Sequence, residues 1–268
     1  MGFIYWIASY PKSGNSWARA FLTSLITDGV RGKSGKLPEV IPDENSGRFY
    51  KPFLQKPIEE ASNAELALIR PRVHRLLAKK TQNFLLLKTH ALMGVHNGTP
   101  TVTFDVTAGA IYLVRNPLDV AVSYGKDKQR GIDRAIAAMN RPGRESVRLA
   151  NRAYEISGSW IENVESWTKP HDRILVLRHE DMLADPEAEF RRIVQLLKME
   201  VSEEQLARAL DDTRSMSGST GKWREALTEE QVAAVATLNQ PLMKRFGYWL
   251  DEFDDMVRRP ATLGATSP

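Results

Sequence analysis

The segment Tyr10-Pro11-Lys12-Ser13-Gly14-Asn15-Ser16-Trp17 decides how this chain is read, because it joins a short apolar run to a helical pattern through a turn of small residues. Phe3 to Ala8 before it is almost unbrokenly apolar, as a strand covered on both faces is. After it, Trp17, Ala20, Phe21, Ser24, Leu25 and Asp28 recur at helical spacing from about Ser16 to Asp28, with Gly29 as the stop. Ala18, Leu22 and Ile26 make the other side apolar too, so the helix is expected to be well covered. Small residues at such a junction let backbone N–H groups approach an anion, and the helix N-terminus adds about half a positive charge. Lys12 adds a full one, and Ser13, Asn15 and Ser16 add donors. An ordinary strand–helix turn with a capping serine fits the same residues. The Walker pattern G-x-x-x-x-G-K-S/T is not met, since Lys12 precedes Gly14 and no Gly-Lys-Ser/Thr follows, which weighs against kinases and NTPases.

A second strand-to-helix switch lies at Val114-Arg115-Asn116-Pro117-Leu118-Asp119-Val120-Ala121-Val122-Ser123. Asn116 suits the N-cap, Pro117 the first helical position and Asp119 the third, which approximates a capping box. Arg115 at the strand end offers a planar fork for a phosphate, and Ser123 follows two turns on. A lone arginine here also suits a surface ion pair; a second anion site beside the first turns the balance.

Further buried strands are predicted at Phe84–Lys88, Ala110–Val114 and Arg173–Leu177, and Thr101–Val106 alternates like one arm of a hairpin. Pro57–Lys79 reads as helical in part and broken near Pro71. Arg130–Glu145 reads as a mobile segment, Ser146–Trp167 as one long helix, and Pro186–Lys198 and Glu203–Asp211 as amphipathic helices. Apolar strands separated by helices predict an α/β fold, a central parallel β-sheet flanked by helices on both faces. Ligands of such sheets bind beyond the strands' carboxyl ends, where every motif here falls.

The bulk numbers agree. The 268 residues carry 42% hydrophobic and 26% charged side chains and a net charge of +4, with a pI near 9.2. That is mildly basic, suits an anionic small molecule, and is too weak to indicate nucleic acid. There is no cysteine, so disulfides, thiolate catalysis and cysteine-based zinc sites are excluded. The five histidines, His74, His90, His96, His171 and His179, form no spaced metal-ligand set. The N-terminus lacks a basic n-region and reads as a strand, not a signal peptide, and no apolar stretch approaches the ~18 residues that span a bilayer.

The two strand–helix segments together resemble the PAPS-dependent sulfotransferase family, of the cytosolic or bacterial small-molecule type. Residues 10–17 look like its 5′-phosphosulfate loop, Y-P-K-S/A-G-T/N-T/S-W, and residues 115–123 like its 3′-phosphate motif, R-N-P-x-D-x-x-x-S. Leu87-Lys88-Thr89-His90 resembles the K-T-H segment that carries its catalytic histidine. The similarity runs over roughly residues 3 to 250. Weaker matches follow: Leu177-Arg178-His179-Glu180-Asp181-Met182 resembles Y-E-D-M with His179 in place of the tyrosine that helps seat adenine. Gly218-Ser219-Thr220-Gly221-Lys222-Trp223-Arg224 resembles R-K-G-x-x-G-D-W-K, with Met216-Ser217 in place of the basic pair and Lys222 where aspartate is usual. The family's C-terminal dimer motif is not evident around Arg224 to Ala233.

The resemblance implies one three-layer, P-loop-like domain over residues 1–268, with variable acceptor or lid segments at 29–57 and 125–148 and a flexible tail at 258–268. It implies a cytoplasmic enzyme that moves a sulfuryl group in line from 3′-phosphoadenosine 5′-phosphosulfate (PAPS) to a hydroxyl or amine of a small-molecule acceptor, releasing PAP, without a metal, a nucleic-acid partner or a membrane span. Lys12 would stabilise the leaving oxygen, and Ser13, Gly14, Asn15 and Ser16 would hold the 5′-phosphate. Trp17 would stack on adenine while also packing in the core. Arg115 and Ser123 would hold the 3′-phosphate, Ser123 also restraining Lys12, with Arg214 and Gly218 completing the site and His179 at the adenine. His90 would be the general base, help typically worth ~10²–10⁴-fold. Lys88 would polarise the sulfuryl group or line the cleft, and His96 would face the acceptor or belong to the loop. The acceptor is expected at Lys33–Gln55, Met93–Thr103 and Gly125–Arg148. Lys126, Lys128, Arg130, Arg134, Arg141 and Arg144 in the last segment suit either an acidic acceptor or a solvated face.

Overall fold

A computed structural model describes residues 2–30, 38, 40–127, 131–146 and 148–258. Its centre is a four-stranded, wholly parallel sheet of β1 (Phe3–Ser9), β2 (Phe84–Thr89), β5 (Thr107–Val114) and β6 (Ile174–Arg178) in the order β2-β1-β5-β6. Between β2 and β5, a two-residue hairpin pairs β3 (Val95–His96) with β4 (Thr99–Pro100). The helices in chain order are α1 (Asn15–Ile26), α2 (Gly47–Tyr50), α3 (Asn63–Lys80), α4 (Pro117–Lys126), α5 (Ile132–Met139) and α6 (Trp160–Thr168). They continue with α7 (His179–Ala184), α8 (Pro186–Leu197), α9 (Glu203–Thr213), α10 (Trp223–Ala226), α11 (Glu229–Arg245) and α12 (Glu252–Arg258).

The alternation of side chains along β1 divides the core. Ile4, Trp6 and Ala8 point with Tyr112 and Val114 into one layer, closed by α4, α5, α6, α11 and α12. Ile7 points with Ile111, Leu113 and Leu177 into the other, closed by α1, α8 and α9. This is the expected three-layer α/β, P-loop-like arrangement. A third cluster gathers Tyr50, Leu66, Val73, Tyr154 and Ile156 beside the sheet. The register pairs Ala8 with Thr89, Ser9 with Leu113 and Val114 with Arg178, so all four strands finish level. Their next residues, Tyr10, His90, Arg115 and His179, open onto one edge.

Four local readings are corrected. The helix expected to break near Pro71 runs through it as α3. Leu66, Ala67, Ile69, Arg70, Val73 and His74 are all buried along it and a Ser62–Glu65 capping box starts it, which outweighs the ~3 kcal/mol a proline costs inside a helix. The hairpin arm expected at Thr101–Val106 lies earlier, around Asn97-Gly98, because the threonine hydroxyls turn to the backbone: Thr101 donates to the Leu92 carbonyl at 2.6 Å. Part of the expected mobile segment 130–145 is α5. The long helix expected over Ser146–Trp167 exists only from Trp160. Gly158 takes φ +62°, and a Cβ there would meet Glu162 and Leu92 at 2.8 Å; Ser159 then caps α6 with Glu162. The residues before it run as an irregular strand, Ala153 N–H donating to the Asn45 carbonyl at 2.8 Å. The tail read as flexible lies outside the described residues from 259 onward.

Candidate active site

The turn after β1 folds tightly because Lys12 (φ 71°) and Gly14 (φ 96°) both take left-handed backbone, which costs a non-glycine residue such as Lys12 of order 1 kcal/mol. Arg115, at the end of β5, clamps the turn: Nη1 donates to the Lys12 carbonyl at 2.9 Å and Nη2 to the Ser219 carbonyl at 2.7 Å. One guanidinium thus ties the loop at 10–14 to the loop at 218–221. Asp119 secures the second loop. Rather than closing a capping box, its buried carboxylate accepts from Gly221 N (2.8 Å), Thr220 Oγ1 (3.0 Å) and Trp223 N (3.3 Å). The Asn116 N–H donates instead to Glu180 Oε1 at 2.9 Å, and the other oxygen of Glu180 accepts from Tyr248 Oη at 2.8 Å.

His179, first residue of α7, fills the space between these loops. A Cβ on Gly14 would lie 2.8 Å from its Nδ1 and one on Gly218 3.8 Å from its Nε2, so glycine at 14 is needed for the close approach. Trp17 meets the imidazole edge-on, 6.1 Å between centroids, with Phe190 behind it. Burial, and then Arg115, push the His179 pKa down to about 3.

Polar atoms here are buried without partners: Ser13 Oγ, Asn15 Oδ1, Trp17 Nε1, Arg115 Nε and both nitrogens of His179. Buried polar groups are nearly always hydrogen-bonded, and the donors among these atoms, Ser13 Oγ, Trp17 Nε1 and Arg115 Nε, suit an anionic ligand. Ser16 is exposed on the first turn of α1, and Ser123 is half-buried on α4. Lys12 Nζ lies 3.8 Å from Asp127 Oδ2, both side chains substantially exposed. Arg214 is not brought to this cluster: its side chain is 84% exposed and leans on Asp211.

Beside the cradle, β2 delivers Lys88 and His90. His90 Nδ1 lies 2.8 Å from the Ser9 carbonyl. A carbonyl only accepts, so the proton sits on Nδ1 and the lone pair on Nε2. Its backbone N–H donates to Glu155 Oε1 at 2.8 Å, and its carbonyl accepts from Asn163 Nδ2 at 3.0 Å. Burial and Lys88 lower its pKa to about 4, against the opposing pull of Glu155, Ser9 and Asp43. Lys88 is buried between two carboxylates, Glu155 at 3.6 Å and Asp43 at 3.8 Å. Asp43 also pairs with Arg19 and Arg152. Next to Asp43, Glu44 accepts from Arg70 Nε (3.2 Å), His74 Nε2 (3.2 Å) and Tyr50 Oη, and these partners hold its pKa down to about 2 against burial. His96 pairs with Glu145 at 2.6 Å.

Sequence reasoning missed Asp43, Glu44 and Glu155. The first two lie in a Pro/Gly-rich stretch with no periodicity, and Glu155 in the run read as helix. Only the charge of Pro42-Asp43-Glu44-Asn45 between two polar loops was a signal. Among the described residues no three His, Asp or Glu converge as a metal site, and no helix is long and apolar enough to cross a membrane.

Comparison with known proteins adds to this. The sulfotransferase domain profile matches residues 5–217. Dog sulfotransferase 1B1 is 27% identical over 215 residues, covering 77% of this chain and 63% of that protein. Bovine sulfotransferase 1A1 is 30% identical over 205 residues, 74% of this chain and 60% of that protein. The matched stretch thus spans less than two thirds of these relatives. Among solved structures, mouse sulfotransferase SULT7A1 complexed with PAP superposes with a TM-score of 0.55 at 18% identity, over 95% of this chain and 88% of that one. Retinol dehydratase in complex with androsterone and PAP does so with a TM-score of 0.58 at 20% identity, over 90% and 80%. Both share the fold.

Proposed function

The chain belongs to the sulfotransferase domain family, and from that premise we propose that it transfers a sulfuryl group from PAPS to a hydroxyl or amine of a small-molecule acceptor, releasing PAP. The observation that carries the reading is the cluster of unpartnered buried polar atoms between the 10–17 and 218–221 loops. The donor, when bound, supplies an activated sulfuryl group on a phosphate leaving group, and positioning and charge stabilisation are then what the protein must provide.

Ser13, Gly14, Asn15 and Ser16 would hold the 5′-phosphate at the start of α1, with Lys12 as the mobile cation for charge on the leaving oxygen. Arg115, Ser123 and the Gly218 loop would take the 3′-phosphate and Trp17 the nucleoside, with His179 between Gly14 and Gly218. His90 would accept the acceptor's proton on Nε2; the Ser9 carbonyl supports this by fixing the proton on Nδ1, and the lowered pKa keeps the ring neutral above about pH 5. Lys88, flanked by Asp43 and Glu155, would face the sulfuryl group. Ser46, Arg48, Lys51, Leu54, Lys56, Glu59 and Asn151 are among the residues that line an open cleft of about 740 Å³, three of them cations and one a carboxylate. It adjoins Asp43 through the Ser46–Arg152 bridge, a place for an acceptor, anionic ones included.

Calorimetry with PAP and with ATP–magnesium on wild type, Lys12→Ala and Arg115→Ala tests the donor assignment. Tight PAP binding that both substitutions weaken, with little ATP binding, supports it; ATP binding without PAP binding overturns it.

A further inference from the structure

A 3′-phosphate monoester carries between one and a half and two negative charges near neutral pH, and the 218–221 loop meets it with few cations. Met216 and Ser217 precede Gly218, Arg214 leans on Asp211 in solvent, Arg224 lies over the Trp223 ring beside Gly221, with Lys222 before it, and Arg115 is the guanidinium that bridges the two loops. Resting on the donor-site reading above, we infer that His179 makes up the deficit: it is uncharged in the free protein and takes up a proton as the donor's 3′-phosphate settles between Arg115 and the Gly218 loop.

The geometry is that of a side chain waiting for a ligand. His179 is 2% exposed, lies against Gly14 on one side and Gly218 on the other, and has both ring nitrogens unbonded. His74, equally buried, shows how a structural histidine differs: Nε2–H donates to Glu44, and Nδ1 accepts from the Thr103 hydroxyl at 2.8 Å. A core role for His179 would leave two polar atoms desolvated for nothing.

The charge environment gives the direction. Toward His179, the turn before α1 presents the uncharged Gly14 and α1 presents the Trp17 ring, which Phe190 of α8 also contacts. The 218–221 loop presents Gly218, and the junction of β5 with α4 presents Arg115. The nearby carboxylates, Asp119 and Glu180, act on Arg115. With a cation facing it and solvent excluded, the imidazole stays neutral at physiological pH, in line with its pKa near 3. A phosphate dianion reverses that field, so the pKa in the complex rises and the proton comes from solvent. Affinity must then increase as pH falls toward the pKa of the complex.

The test is PAP calorimetry in buffers of differing ionisation heat, on wild type, His179→Gln and His179→Tyr, with adenosine 5′-monophosphate as the ligand lacking a 3′-phosphate. Because PAP titrates too, the difference between proteins is what reads His179. At pH 6.5 wild type takes up roughly half to one proton more per PAP than either variant. Its affinity advantage over His179→Gln reaches about tenfold, shrinks toward pH 8.5 and is absent with adenosine 5′-monophosphate. The tyrosine variant supplies the comparison if the glutamine variant does not fold. Absence of PAP binding to wild type defeats the donor-site reading itself. PAP binding with equal proton uptake in all three proteins overturns the inference alone, as does an equal uptake difference with adenosine 5′-monophosphate, which would assign His179 to the base or the 5′-phosphate.

Discussion

The two halves of the cleft handle polarity in opposite ways. On the side of β1, β5 and β6, buried polar atoms of Ser13, Asn15, Trp17, Arg115 and His179 are left without a hydrogen bond. On the side of β2, buried charges stand in opposite-sign pairs, Lys88 with Asp43 and Glu155 and Glu44 with Arg70, although single atoms such as Glu44 Oε2 and Arg70 Nη1 lack a hydrogen bond there too. An open polar set costs folding stability and is recovered by a ligand; a closed one holds its shape without one. Under the proposed function, the first half would be completed by the donor and the second would keep its shape while acceptors exchange.

The seam between them should show the largest effect. His90 sits on the seam: its backbone N–H donates to Glu155 of the closed half and its Nδ1–H to the Ser9 carbonyl at the end of β1. His90→Gln is expected to lower transfer from labelled PAPS, on any acceptor the wild type sulfates, by about 10²–10⁴-fold. PAP affinity should stay within about twofold. A matching loss of PAP affinity would place His90 in the donor half and move the seam.

Next comes the closed half. Glu44→Gln leaves Arg70 buried beside a neutral partner, and denaturant unfolding at pH 7 should show a loss of about 3–5 kcal/mol. The pH dependence follows from the carboxyl's position at about 2 when folded against 4.5 when free. Its stabilisation is fully present above about pH 4.5, where it amounts to roughly 3 kcal/mol, and is lost as pH falls through 2. The gap between wild type and variant should therefore narrow below pH 4.5. A gap independent of pH would mean that the glutamate is held by packing rather than by charge.

The same contrast explains what could be read from sequence. The open half was legible as structure because its parts are local: a strand end, a turn of small residues and a helix start occupy eight consecutive residues, and Arg115 and Asn116-Pro117 repeat the arrangement. The closed half was not, because it is assembled across long separations, Glu44 meeting residues 26 and 30 positions away and Lys88 meeting Glu155. Ser146–Trp167 reads as one helix, yet the Ala153 N–H bonds the Asn45 carbonyl and Gly158 turns the chain before α6 begins. Asp119 was legible as a helix-start residue, but its contacts with a loop a hundred positions on were not. Pro71 misled because local cost was weighed without the burial that offsets it.

Ser13→Ala probes the open half directly. The hydroxyl is buried and unbonded, so removing it breaks no bond inside the protein, and stability should stay within about 0.5 kcal/mol of wild type or rise. PAP affinity should fall by about two- to tenfold. Lost stability with unchanged affinity would show that Ser13 is paired inside the fold and that the halves differ less than stated.

The smallest effect is expected at Asp127, and its smallness is the point. Lys12 is the one cation of the donor loop whose side chain pairs within the protein, and it does so across 3.8 Å with both groups substantially exposed. Exposed pairs of this kind contribute about 0–1 kcal/mol. Such a contact parks the ammonium near the turn without locking it, in contrast to Lys88, buried between two carboxylates. In the proposed reaction Lys12 would meet charge developing on the leaving group, and that role suits the first kind of restraint, because a buried pair would have to be broken before it could move. Asp127→Asn should therefore shift unfolding by less than about 0.5 kcal/mol and leave PAP affinity unchanged or raised by up to about threefold, most at low salt. A loss of affinity would make Asp127 part of the donor site and its pairing with Lys12 part of the closed half.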